Sequence, residues 1–178
     1  RDVLGSRGLG DVYKRQGIGD RPFAPEIINA EYEAIKQIVG NNPVILVGFS
    51  GGAQVAGLIA TAKPGLNIKK VITIAGNLDH LAWTQYHNLP PLNESMSLES
   101  YYKQFAKIPQ LHYVGNNDKV IPPILVREFI KNDNLVIEVD GASHNEGWGK
   151  IYNKAGANSE KDRMLINIPT FIRTRFGF

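Results

Sequence analysis

The feature that most constrains this chain is a five-residue turn, Gly48-Phe49-Ser50-Gly51-Gly52, set between two segments of different periodicity. Before it, Pro43 leads into the unbroken apolar run Val44-Ile45-Leu46-Val47. That is the pattern of a strand buried on both faces, as in a parallel sheet. After it comes a small-residue segment carrying Val55, Leu58 and Ile59, which reads as a helix. Gly48, Ser50 and Gly52 thus form G-x-S-x-G at a strand-to-helix bend, the context in which this pattern presents a nucleophile. A bend so tight predicts positive φ at Ser50, an unfavourable conformation for a residue with a Cβ. Glycines on either side remove the side chains that would collide as strand and helix close together. The hydroxyl then stands at the carboxyl edge of the sheet. The backbone N–H of Gly51, at the start of the helix, points at an oxyanion forming beside it. The competing reading is an ordinary Gly-rich turn or a phosphate loop. No G-x-x-x-x-G-K-[ST] occurs, which argues against the phosphate loop.

Taken in order, strands alternate with helical segments. Phe23–Val39 reads as an amphipathic helix with Pro25 in its first turn and Ile28, Tyr32, Ile35 and Val39 on one face. Four strands are expected, at about 44–47, 71–75, 110–114 and 135–139. Pro122-Pro123 opens a helix with Leu125, Phe129 and Ile130 turned inward, and Leu98–Phe105 forms a short one. The C-terminal Asp162–Phe176 is expected to be helical around Pro169. Such alternation predicts an α/β fold with a mostly parallel sheet. Residues 76–107 are longer and more irregular than an ordinary connection and are expected to form a small cap-like excursion.

Composition narrows the chemistry. There is no cysteine among the 178 residues, so disulfides, thiol catalysis and cysteine metal sites are excluded. No run reaches transmembrane length, and no cofactor or metal motif stands at a diagnostic spacing. Residues 1–16 do not read as natural coding sequence. Asp11–Gln16 back-translates to a stretch resembling the transposase mosaic end used in sequencing libraries, and the preceding Ser6-Arg7-Gly8-Leu9-Gly10 matches the adapter arm beside it. Residues 1–16 are therefore expected to be an adapter-derived leader, with 17–178 one truncated domain whose parent continues upstream of Gly17. Arg1, Arg7, Lys14 and Arg15 against Asp2 and Asp11 supply two of the three net positive charges. The remaining balance makes no case for a nucleic-acid partner.

A serine hydroxyl needs a base within hydrogen-bond reach, and the base needs a group to orient it. The chain has four histidines. His112 lies mid-strand and reads as packed or surface-exposed, while His80 and His87 lie in the excursion. His144 follows the last strand in Asp140-Gly141-Ala142-Ser143-His144, at the strand end where a doubly wound sheet places its site. For the acid, Asp118 follows the third strand and Asp79 follows the second; Asp118 is favoured, and Asp140 is a weaker choice. The expected catalytic set is Ser50, Asp118 and His144, with Gly51 as oxyanion donor and no metal or cofactor.

The turn GFSGG, the segment GNNDKVIPP and the loop GASHNEGW occur in the order used by the α/β-hydrolase superfamily, which the chain resembles from about Arg21 to the His144 loop. More narrowly, AGNLDHLAWTQYHNLPPLNES followed by IPQLHYVGNNDKVIPP resembles a group of poorly characterised bacterial α/β-hydrolases, many described as lipoproteins or exported proteins. The resemblance implies the C-terminal part of that fold, with the elbow strand's edge left open where an earlier strand would pair. It also implies a missing second oxyanion donor and a weakly active fragment. Asn77, Asp79, His80, Trp83 and His87 would shape the pocket, and localisation would tilt towards the cell envelope. The expected function is cleavage of an ester or related acyl bond in a small-molecule substrate. A peptidase or thioesterase on the same scaffold, or a non-catalytic binding module, are the alternatives.

Overall fold

Helix α1 (Pro25–Val39) opens the part of the chain described by the computed structural model, which covers residues 21–149, 151 and 165–167. Pro25 occupies its first turn, where the missing N–H is no loss. Ile28, Tyr32, Ile35 and Val39 form its buried stripe, as their spacing predicts. The chain continues through β1 (Pro43–Phe49), α2 (Gly52–Ala62), β2 (Asn67–Ile74) and α3 (His80–Tyr86). A 3-10 turn (Leu98–Tyr101) runs into the single helical turn α4 (Tyr102–Phe105), followed by β3 (Gln110–Gly115) and α5 (Pro123–Ile130). Another 3-10 turn (Asp133–Leu135) leads into β4 (Val136–Val139), and a short β5 (Leu165–Asn167) completes the sheet.

The sheet order is β4-β3-β2-β1-β5, and every neighbouring pair is parallel. Parallel strands need crossovers, and the helices supply them. The carboxyl ends of β1, β2, β3 and β4 therefore lie on one edge, and the loops that leave them meet there. The expected α/β fold with a parallel sheet is present, with each strand starting or ending within a few residues of its expected limits.

The core lies on one face of the sheet. Val44 and Leu46 of β1, Val71 of β2 and Val114 of β3 are buried together with Ile28 of α1, Leu58 and Ile59 of α2, Phe105 of α4 and Phe129 of α5. Fully burying side chains of this size contributes about 1.5–3 kcal/mol each. The second half of the excursion belongs to this core. Leu98 and Phe105 are fully buried, and Leu98 packs so tightly on Gly57 that a Cβ there would sit 2.5 Å from its Cδ2.

Two expectations are corrected. β1 alternates buried and half-buried residues instead of being sealed on both faces. Among the described residues, Val47 and Phe49 on its second face pack against a smaller cluster of Ile74, Ala75, Ala142, Trp148 and Ile151. The edge of β1 is not open either. Leu165–Asn167 pair in parallel with Ile45–Val47, so this stretch of the expected C-terminal helix is a strand. An unpaired strand edge presents a row of unsatisfied N–H and C=O groups, and a short apolar segment that reaches it satisfies them. The rest of that expected helix, and residues 1–16, expected to be a leader, lie outside the described residues.

Candidate active site

Ser50 sits at the bend between β1 and α2 with φ of 51°, in the left-handed region anticipated from the motif. The bend is held from behind. Ser50 N–H donates to the Ile74 carbonyl at 3.1 Å, and its own carbonyl accepts from Ala53 N–H at 3.1 Å and Asn77 N–H at 2.9 Å. Gly48 has to be glycine on steric grounds, because a Cβ there would lie 2.5 Å from both the Ala53 Cα and the Gly52 carbonyl oxygen. No side-chain rotation relieves a clash with backbone. Gly51 caps α2 and lines the same cavity as Ser50.

His144 arrives from the loop after β4. Its Nε2 lies 3.0 Å from Ser50 Oγ, and its Nδ1 lies 2.9 Å from Asp118 Oδ2. The ring packs against Phe49 with centroids 5.2 Å apart, and the His144 carbonyl accepts from Trp148 Nε1–H at 3.0 Å. Trp148 is buried with Ile74, Ala75 and Ala142, so a core anchor holds the backbone of the loop. The Asp118 carboxylate is also fixed at both oxygens. Oδ2 faces the imidazole, while Oδ1 accepts from Val120 N–H and Ile121 N–H, each at 2.8 Å. On a buried carboxylate, such bonds fix orientation and compensate lost hydration.

The loops carrying Asp118 and His144 are latched to each other. Asn116 Nδ2–H donates to Asp140 Oδ1 at 2.7 Å, Gly141 N–H donates to Asn116 Oδ1 at 2.9 Å, and Asn117 N–H donates to the Ala142 carbonyl at 3.0 Å. Gly115 makes this approach possible, since a Cβ on it would lie 2.4 Å from the Ala142 carbonyl oxygen. A third element joins from α3. Trp83 Nε1–H donates to the Val120 carbonyl at 2.8 Å, and His87 Nε2 lies 2.9 Å from the same oxygen. Val120 thus links α3 to the turn that holds Asp118.

The remaining pocket residues expected from the sequence separate into two groups. Asn77 and Trp83 line a small cavity beside Ser50 and Gly51, together with Phe23, Leu92 and Ile121. Asp79 and His80 do not. Asp79 is the N-cap of α3, its Oδ1 accepting from Leu81 N–H at 3.0 Å and Ala82 N–H at 3.1 Å. His80 is 1% exposed and stacks on the Phe23 ring at 5.8 Å. Burial pushes its pKa below the ordinary histidine value; the Asp79 charge and the nearby Met96 carbonyl oppose the shift. Neither of its ring nitrogens reaches a hydrogen-bond partner among the described residues. His112 lies in the core, with Nδ1 2.8 Å from Thr73 Oγ1 and Nε2 2.9 Å from Gln110 Oε1. Phe23, Leu92 and Ile121 are not among the pocket residues expected from the sequence. They are dispersed along the chain, and apolar type alone does not separate a pocket wall from a core.

Among the described residues, no cluster of three or more His, Asp or Glu side chains could hold a metal ion, and no helix is long and apolar enough to cross a membrane. Chemically, the arrangement can remove a proton from the Ser50 hydroxyl and hold the resulting imidazolium against a fixed carboxylate.

Comparison with curated proteins returns no match. Solved structures share the fold. MGS-MChE2, an alpha/beta hydrolase enzyme from the metagenome of sediments from the lagoon of Mar Chica, Morocco, is 18% identical with a TM-score of 0.52, over 83% of this chain and 70% of that one. A bromoperoxidase from Bacillus anthracis is 13% identical with a TM-score of 0.53, over 85% and 87%. These two likenesses establish the α/β-hydrolase fold. An esterase domain from a Rhodothermus marinus protein is 16% identical with a TM-score of 0.49, over 62% of this chain; the chain spans 56% of that domain's length. Residues 26–142 match the family model described as "Serine hydrolase (FSH1)", and the chain belongs to that serine hydrolase family.

Proposed function

We propose that this protein cleaves an ester or related acyl bond through an acyl-enzyme formed on Ser50. The observation that carries the reading is the continuous relay from Asp118 Oδ2 through both nitrogens of His144 to Ser50 Oγ, with contacts of 2.9 and 3.0 Å. His144 Nε2 takes the hydroxyl proton as Ser50 Oγ bonds to the acyl carbon. The tetrahedral oxyanion sits at the Gly51 N–H. The proton then passes from His144 to the leaving group, whose bond to the acyl carbon breaks and leaves the acyl-enzyme. Water attacks the acyl-enzyme by the same route, and the acid is released as Ser50 recovers its proton. Asp118 holds the ring with Nδ1–H toward itself and stabilises the imidazolium. Strain at Ser50 keeps the hydroxyl forward of the sheet edge instead of letting it relax against the backbone.

The test is labelling with a fluorophosphonate probe, read by peptide mass spectrometry, beside turnover of matched ester, thioester and amide substrates. The proposal expects a single adduct on Ser50 and hydrolysis of esters or thioesters ahead of amides. An adduct elsewhere, or none, removes Ser50 as nucleophile. Amide turnover equal to ester turnover reassigns the protein as a peptidase.

A further inference from the structure

We infer that Asn77 selects the substrate, its side-chain amide hydrogen-bonding an oxygen substituent on a short acyl group held beside Ser50. The inference rests on the hydrolase reading above and names its substrate class: esters or thioesters of small hydroxy acids.

Asn77 leaves the end of β2 with its backbone N–H donating to the Ser50 carbonyl at 2.9 Å, so its position is tied to the nucleophile. The residue is only 8% exposed, and it lines the cavity that Ser50 and Gly51 also line. Its side-chain amide makes no hydrogen bond to any described residue. Neither amide atom is sealed from solvent, so the amide is hydrated through the cavity, and a ligand that displaces this water does best when it pairs with the amide. Gln54 Oε1 and the two His80 ring nitrogens lack partners among the described residues, but they are sealed in the interior and neither residue lines the cavity.

Every other polar side chain on this wall is engaged. The Trp83 N–H is bound to the Val120 carbonyl, and the Ser50 hydroxyl faces His144. Phe23, Leu92 and Ile121 are apolar. The wall therefore offers hydrocarbon contact and one uncommitted amide, which can donate and accept at once. A hydroxyl matches that pair of roles; a plain alkyl chain would desolvate the amide and give nothing back. The cavity takes the acyl side of the substrate and not the leaving group. A leaving group must face His144 to receive its proton, and His144 is not part of the cavity wall, whereas Gly51 is.

The experiment compares p-nitrophenyl esters of butyrate, 2-hydroxybutyrate and 3-hydroxybutyrate on the wild type and on Asn77→Leu. The expected result is that one hydroxy ester is preferred over butyrate by about tenfold or more in kcat/KM. Asn77→Leu should erase that preference, the kcat/KM of the favoured hydroxy ester falling to that of butyrate measured on the same variant. Equal loss on all three esters, or no preference in the wild type, overturns the assignment. Should Asn77→Leu fail to fold, Asn77→Asp keeps the shape and an acceptor, and it must retain the hydroxy preference; losing it overturns the assignment as well. A binding arm separates this inference from the hydrolase reading. Ser50→Ala is titrated with the three free acids, and again with Asn77→Leu added. If no ester turns over yet a hydroxy acid binds about tenfold tighter than butyrate in an Asn77-dependent way, the role of Asn77 stands and the hydrolase reading falls. If all three esters turn over without discrimination, the hydrolase reading stands and the Asn77 assignment falls.

Discussion

His144 Nε2 lies 3.0 Å from Ser50 Oγ although 94 positions separate the two residues along the chain. A contact of this length between a hydroxyl and a ring nitrogen is a hydrogen bond, already at the distance general-base catalysis needs. His144→Gln keeps a polar group of similar reach but removes the base. The expected result is a fall in the rate of Ser50 labelling on the order of 10⁴-fold, with the protein still folded by circular dichroism. A rate within tenfold of wild type would exclude His144 as the base.

Asp79 and Asp118 both follow strand ends, yet their carboxylates do different things. Asp118 faces His144 across 2.9 Å, and Asp79 caps α3 through Leu81 and Ala82. Asp79→Ala should therefore cost about 1 kcal/mol of stability in a urea titration, the usual value of a lost N-cap, and leave the labelling rate near wild type. Asp118→Asn should lower the labelling rate steeply. Exchanged outcomes would move the acid to Asp79.

Gly115 is the point where the β3 and β4 loops touch, with room for no side chain against the Ala142 carbonyl. Gly115→Ala should push the loops apart, costing about 1–3 kcal/mol and slowing Ser50 labelling together. Gly149→Ala is the control, because nothing lies within 4 Å of a Cβ built there. Thermal melts and labelling on the two variants check this. If Gly115→Ala labels at the wild-type rate, the latch does not govern the spacing of Asp118 and His144.

His112 is fully buried, and desolvation lowers its pKa from 6.5 to about 4. Between those values the unfolded chain binds more protons than the folded one, so stability falls as pH drops from about 6.5 towards 4 and is flat above. The full loss attributable to this ring is about 3 kcal/mol. His80, also shifted down by burial, acts in the same direction. Urea midpoints measured across this range should slope downward on acidification, and His112→Gln should flatten most of the slope. An unchanged slope in the variant would assign the acid sensitivity to other groups.

Parts of this site are legible in the sequence because they are local. Glycines flanking a serine between an apolar run and a helical segment can close only one way, and the positive φ at Ser50 follows from that. The order of strand-end loops likewise points to Asp118 and His144. Other parts are not legible. Nothing in the pattern around Asn116 announces that its amide bridges to Asp140 and Gly141, or that Trp83 and His87 converge on the Val120 carbonyl. The strand Leu165–Asn167 falls within a segment that reads as helix. Three residues are too few to show a period, and the neighbour that recruits them, β1, lies more than a hundred positions away.

The amino-acid sequence alone determined the α/β alternation and the sharp bend at Ser50, and it favoured Asp118 over Asp79 as the carboxylate to stand beside His144. The alternation and the bend depend on backbone sterics and on side-chain periodicity between near neighbours in the chain. Tertiary structure decided which carboxylate meets the imidazole, which pocket residues open onto the cavity, and what occupies the edge of β1. These depend on strand order and on the ångström-scale approach of loops distant in sequence, which is settled only when the whole sheet has packed.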